Sequence, residues 1–203
     1  ALDVRSALSV EAEGGLLTDP QVKAAERAAA ESGLASTPVF AYLANGLRVR
    51  DREVPYSLVA AVDFAAIRLT PAGSLPRLDP AGIPPPIVLN EWAARDLNAS
   101  PGDPLVLDYY LWEDSGRLVT RSETFQVAAI VPIAGVDRDL APSYPGISDA
   151  PTLDEWDPPF PIDLRRVRPA DEEYWRLYRT TPKAYVSIET GRTLWRSRHG
   201  ATT

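Results

Sequence analysis

Carboxylates are the side chains that most visibly cluster in this sequence. Asp149, Asp154, Glu155, Asp157 and Asp163 crowd one proline-rich stretch, and Asp171, Glu172 and Glu173 follow it. Paired carboxylates can cleave glycosides, and oxygen-rich loops can hold calcium. The run Asp154-Glu155-Trp156-Asp157 lacks the alternating oxygens and the mid-loop glycine of an EF-hand. The sequence therefore reads first as solvated acidic surface or partner contact, with calcium binding and acid–base catalysis as the alternatives. Other chemistry has fewer candidates. His199 is the single histidine, and it lies close to the C-terminal end of the sequence, a poor place for the oriented base of a triad. There is no cysteine, which excludes thiol nucleophiles, disulfides and thiolate metal sites in this chain. Neither a P-loop nor a Gly-x-Gly-x-x-Gly turn is present. No cofactor or metal is expected.

Aromatic residues share the acidic stretch. Tyr144, Trp156 and Phe160 argue against disorder there, which is normally poor in aromatics. Together with Asp154, Glu155 and Asp157 they form the expected contact set, with the rings tacking the segment down and the carboxylates facing out. Trp92 and Trp112 sit in periodic segments and read as core.

Several elements must position these residues. A helix is expected at about 20–32, with Asp19 as cap, Pro20 in its first turn and Gly33 at its end. Residues 38–43 and 56–63 read as strands, with Asn45-Gly46 as the turn between them. The proline- and glycine-rich stretch 70–86 reads as a loop or a hinge between lobes. A strand at 87–90 runs into a helix at 90–97, with Asn90 as cap. Alternation over 105–112 and 125–131, around Glu113-Asp114-Ser115-Gly116, predicts a hairpin carrying Phe125, Val127, Ala129 and Val131 on one face. A loop-rich segment at 136–168, a helix at 170–179 and a strand at 184–188 complete the chain. The sequence shows no internal repeat. The expected class is mixed α/β. The 203 residues suffice for one domain, with possible lobes at 1–70 plus C-terminal elements and at 87–135.

Charge limits the partners. The net charge is −7, and Arg165, Arg166 and Arg168 sit directly before Asp171, Glu172 and Glu173, so a nucleic-acid stripe is not expected. No stretch reaches the ~20 apolar residues of a membrane-spanning helix. Lys23 and Lys183 are the only lysines among 21 basic residues, a bias that points to a high-GC genome.

Two sets of residues also carry a family resemblance. The run from Ile87 to Leu97 (IVLNEWAARDL), then Pro101-Gly102-Asp103 and the strand ending Phe125-Gln126-Val127-Ala128-Ala129-Ile130-Val131, resembles the extracytoplasmic domain of FtsX/MacB-like ABC transporter permeases. Ala129 stands where that family carries glycine, and so does Ala61 upstream. Tyr144 to Asp149, Trp156 to Asp163, Asp171 to Trp175 and Thr181 to Ser187 are similar to one bacterial branch of it. The resemblance implies a two-lobed, MacB-like core domain with a mixed or antiparallel sheet. It further implies a periplasmic position on the bacterial cytoplasmic membrane, reached through flanking membrane helices outside this sequence. The implied partners are an ATPase subunit and a periplasmic protein, peptide or lipoprotein. The family supplies no catalytic residues in this domain. Rival classes are a hydrolase using the acidic stretch and a free-standing periplasmic binding module.

Overall fold

The computed structural model of the chain describes residues 8–12, 15–65, 78, 82–113, 115–133, 140–141, 143–144, 146–195 and 202. His199 and most of the expected hinge at 70–86 lie outside these residues. Helix α1 (Asp19–Glu31) is capped by Thr18 rather than by Asp19. The Gln21 side chain accepts from the Thr18 N–H at 2.8 Å, half of a capping box. Gly33 ends the helix in a left-handed conformation (φ +68°).

Six strands follow: β1 (Val39–Val49), β2 (Arg52–Val62), β3 (Pro86–Asn90), β4 (Pro104–Trp112), β5 (Leu118–Val131) and β6 (Ala184–Ser187). They close into a barrel in the order β1-β2-β6-β3-β5-β4. β1 and β4 seal it through Gly46 opposite Asp108, Leu47 opposite Leu107 and Arg48 opposite Val106. The class is mixed α/β, as expected. Strands from both expected lobes, 1–70 and 87–135, belong to this one barrel.

The barrel carries a topological repeat that the sequence does not display. β4 and β5 pair antiparallel and β5 runs parallel to β3. In the same way β1 and β2 pair antiparallel and β2 runs parallel to β6. β3 leads without a loop into helix α2 (Glu91–Leu97), and β6 leads likewise into helix α4 (Ile188–Leu194). Each junction is made by one polar side chain. Asn90 accepts from the Ala93 N–H at 2.8 Å, and Ser187 accepts from the Thr190 N–H at 3.1 Å.

Three apolar clusters hold the fold. Leu47, Val54, Val59, Ile87, Leu89, Leu105, Leu107, Phe125 and Val127 fill one core with Leu97 of α2 and Ile188 of α4. Each fully buried side chain of this size contributes about 1.5–3 kcal/mol. A second cluster joins Ala60, Val62, Val88, Ala129, Val131 and Tyr185. The predicted single face of β5 is thus split between two cores. A register shift between Ile87 and Val88, opposite Val127 and Ala129, turns the later residues to the other side. The third cluster underlies the segment described next.

Two further expectations are corrected. β1 runs straight through Asn45-Gly46, and the turn falls at Arg50-Asp51, where Arg50 adopts φ 54°. Gly46 is in the strand for a packing reason: a Cβ there would lie 2.7 Å from Glu53 Oε1, where Arg166 crosses to pair with Glu53. Trp112 is not core but 60% exposed. β4 pairs with β1 only at 106–108, so its last residues have β5 as their one ladder partner among the described residues, and Trp112 lies beyond the covered part.

Candidate functional site

Residues 143–144 and 146–181 form a cap on the barrel built around an aromatic cluster. Ile147, Ala150, Leu153, Trp156 and Trp175 pack against Tyr56 of β2, with Tyr144, Phe160, Ile162 and Val167 around them. The backbone is irregular, with 3-10 turns at Leu153–Glu155 and Leu164–Arg166, so its polar groups need specific partners. Helix α3 (Pro169–Tyr178) supplies many of them. The Trp175 indole donates to Ala150 O at 3.2 Å, and the Leu153 N–H donates to the Glu172 carboxylate at 3.0 Å. Arg179, stacked over the Trp175 ring at 4.3 Å, donates to Ser148 O and Ala150 O at 3.1 and 2.8 Å.

Several contacts lock the cap to the barrel, among them Arg166 on Glu53 and two tyrosine hydroxyls. Tyr144 donates its hydroxyl to Ala41 O at 2.9 Å, and burial holds that phenol above its ordinary range. Tyr56 accepts from the Asp163 N–H through its own hydroxyl. Tyr56 sits at φ 41°, a costly conformation for an aromatic residue, with the Arg166 guanidinium 5.2 Å above its ring.

The expected contact set divides by chemistry. Trp156 is buried, edge-on to Trp175 at 5.0 Å, and Tyr144 and Phe160 are half-buried. Asp154, Glu155 and Asp157 are exposed. Glu155 accepts from the Thr152 hydroxyl at 3.0 Å, a contact within its own turn. The loop that carries the three carboxylates closes on itself where the Asp157 N–H donates to Gly146 O at 2.8 Å. Gly146 takes φ +75°, and a Cβ there would lie 2.4 Å from Asp157 O. Among the described residues no group of three or more carboxylates or histidines could hold a metal ion.

The charged cluster that sequence reasoning missed lies beneath the cap. Asp171, read from the sequence as part of a solvated patch, is buried. It accepts from the Arg168 N–H at 2.9 Å and from Arg168 Nε and Nη2 at 2.8 and 2.9 Å. Arg168 also reaches Asp96 of α2 at 2.7 Å. These acceptors, Asp171 first, hold the guanidinium more firmly charged than usual. Lys183 is buried too, with Nζ 5.0 Å from the Trp92 ring centre, 4.9 Å from that of Tyr174 and 3.8 Å from Asp171 Oδ1. Burial pushes its amine down to about 8, Arg168 acts the same way, and Asp171 and Asp96 oppose the shift. One signal was available beforehand: a lysine retained in a chain that otherwise almost always uses arginine.

The cavity bordered by Lys183, Asp171, Tyr174 and Trp156 measures about 20 Å³. That is room for a water, not for an organic substrate. The indole N–H of buried Trp156 has no protein partner, and a water there would give it one. The ion cluster links α2 and α3 to the chain just before β6, while Asp154, Glu155 and Asp157 of the cap stay exposed. In comparisons with known proteins, no family model matches the chain, and no curated protein matches it.

Proposed function

We propose that this chain is a non-catalytic extracytoplasmic domain of an ABC transporter permease that works through contacts made by its cap. The single observation that carries the contact role is the division of the cap. Tyr144, Trp156 and Phe160 are spent on anchoring, which leaves Asp154, Glu155 and Asp157 on a firmly held outer surface. A surface of this kind can transmit a push or hold a partner without rearranging. The permease reading rests on the resemblance at 87–97, 101–103, 125–131 and the blocks between 144 and 187. In that reading the domain is a two-lobed, MacB-like core. The domain stands on the periplasmic side of the cytoplasmic membrane, and an ATPase subunit drives it from the cytosol. Its partner is a periplasmic protein, peptide or lipoprotein. No helix among the described residues is long and apolar enough to cross a membrane, so attachment in this reading uses flanking spans.

The test is the triple variant Asp154→Asn, Glu155→Gln, Asp157→Asn in the full-length protein. The expected result is loss of transport or of partner activation, with membrane insertion and the melting temperature of the domain unchanged. Turnover of an ester or glycoside by the unsubstituted domain, abolished in the same variant, would replace this reading with that of a hydrolase.

A further inference from the structure

The longest strand of the barrel is only half used. β5 has 14 residues, and all of 118–126 pair with β4, but the ladder to β3 begins at Gln126. Residues 118–125 therefore have strand β4 on one side and, among the described residues, no strand on the other. Thr120, Arg121, Ser122 and Thr124 are exposed. The edge carries no proline or lysine, and its two charges, Arg121 and Glu123, are of opposite sign and can pair across it, so it can serve as a template for another strand.

The direction of the backbone groups along this edge follows from two bonds. The Gln126 N–H donates toward β3, to Pro85 O at 3.0 Å, and the Val127 N–H donates to the other side, to Asp103 O at 2.9 Å. Register with β4 is unbroken from 118 to 126. Alternation then directs the N–H and C=O of Thr120, Ser122 and Thr124 toward the open edge. Among the described residues, the Thr124 N–H has the carboxylate of its neighbour Glu123, at 3.3 Å, as its one acceptor.

We propose that this edge pairs with the same edge of a second copy, antiparallel, about a two-fold axis through Ser122. An isologous contact must be self-complementary, and this segment is. Ser122 faces its own counterpart as a hydrogen-bonded pair, with Thr120 opposite Thr124 on each side. Arg121, which already reaches Glu113 of its own copy at 3.3 Å, then also stands opposite Glu123 of the other copy, twice, in the closely spaced non-hydrogen-bonded positions where side chains interact most. A shift of the axis by one residue loses both features, because the odd-numbered backbone groups face β4. The result is a four-stranded sheet, β4-β5-β5-β4, joining two barrels. This inference goes beyond the permease reading and does not depend on it.

The measurement is sedimentation of the 203-residue chain over a wide concentration range, with folding of each variant checked by its melting temperature. Arg121→Glu and Glu123→Arg each place like charges opposite one another at both positions. Each is expected to raise the dimer dissociation constant by about tenfold or more. An equimolar mixture of the two variants restores opposite charges in the mixed pair and should dimerise like the unsubstituted chain. As a second readout, Ser122→Cys introduces the only cysteine, and mild oxidation should give a disulfide-linked dimer, since cross-strand Cα spacing lies within disulfide reach. A chain that stays monomeric throughout, a dimer indifferent to the two charge reversals, or a mixture that fails to recover would overturn the proposal.

Discussion

The Lys183 ammonium lies 3.8 Å from Asp171 Oδ1, and both side chains are almost completely withdrawn from solvent. At that distance the pair attracts without a hydrogen bond, and the rings of Trp92 and Tyr174 complete the surroundings of the cation. Burying an ion pair commonly costs as much as it returns. Its contribution here is to specify how the cap helix sits on the barrel.

A pH dependence follows. Below about 8 both the folded and the unfolded chain carry the Lys183 proton, and the folded state bears the full cost of burying it. Between about 8 and the ordinary value of 10.5, the folded chain sheds the proton while the unfolded chain keeps it. Stability should therefore rise through that window, by up to about 3 kcal/mol, and by less where the two rings favour the cation. Urea unfolding at pH 7.5 and pH 10 should show the gain in the unsubstituted chain and little of it in Lys183→Met. A fall in the unsubstituted chain, relative to that variant, would mean that the attraction of Asp171 outweighs burial and would contradict the downward shift.

Anchoring and display should separate by mutation. Trp156→Ala removes a buried ring from the cap cluster and should cost about 3–5 kcal/mol. The triple variant at Asp154, Glu155 and Asp157 touches exposed groups and should stay within about 0.5 kcal/mol for each substitution. Thermal melts of the two compare them directly. A triple variant as damaged as Trp156→Ala would mean that the carboxylates carry structure.

Gly146 is the most constrained point of the acidic loop. Gly146→Ala brings a methyl against the Asp157 carbonyl in a left-handed conformation, so it should destabilise by roughly 1–3 kcal/mol. Gly33→Ala has a similarly positive φ and open space around it, and should cost less, about 1–2 kcal/mol of left-handed strain alone. Melting both variants separates the clash from backbone preference. Equal losses would show that Asp157 does not press on this site.

Local features were legible in the sequence, and distant ones were not. Asn90 stands directly before its helix, so its capping role follows from neighbours alone. The 104–131 hairpin is likewise set by alternation around one turn. Barrel closure depends on Leu47 meeting Leu107 and on β6 inserting between β2 and β3, pairings that no local period encodes. Trp112 misled because alternation marks which side a residue faces, not whether anything covers that side. The aromatic anchors of the cap were readable from composition, whereas Asp171 and Lys183 were not. They are separated in sequence, and only the contact of α3 with the chain just before β6 brings them together beside Trp92.

The most direct measurement of the central claim uses the absence of cysteine from this chain. Glu155→Cys places a thiol on the exposed face of the cap, where a reagent can reach it without disturbing the core. In the full-length protein in intact bacterial cells, a maleimide that cannot cross the cytoplasmic membrane should label this position above the level of the unsubstituted protein. The labelled protein should also be found in the membrane fraction. Labelling only after the cytoplasmic membrane is broken would place the cap on the wrong side and contradict the account.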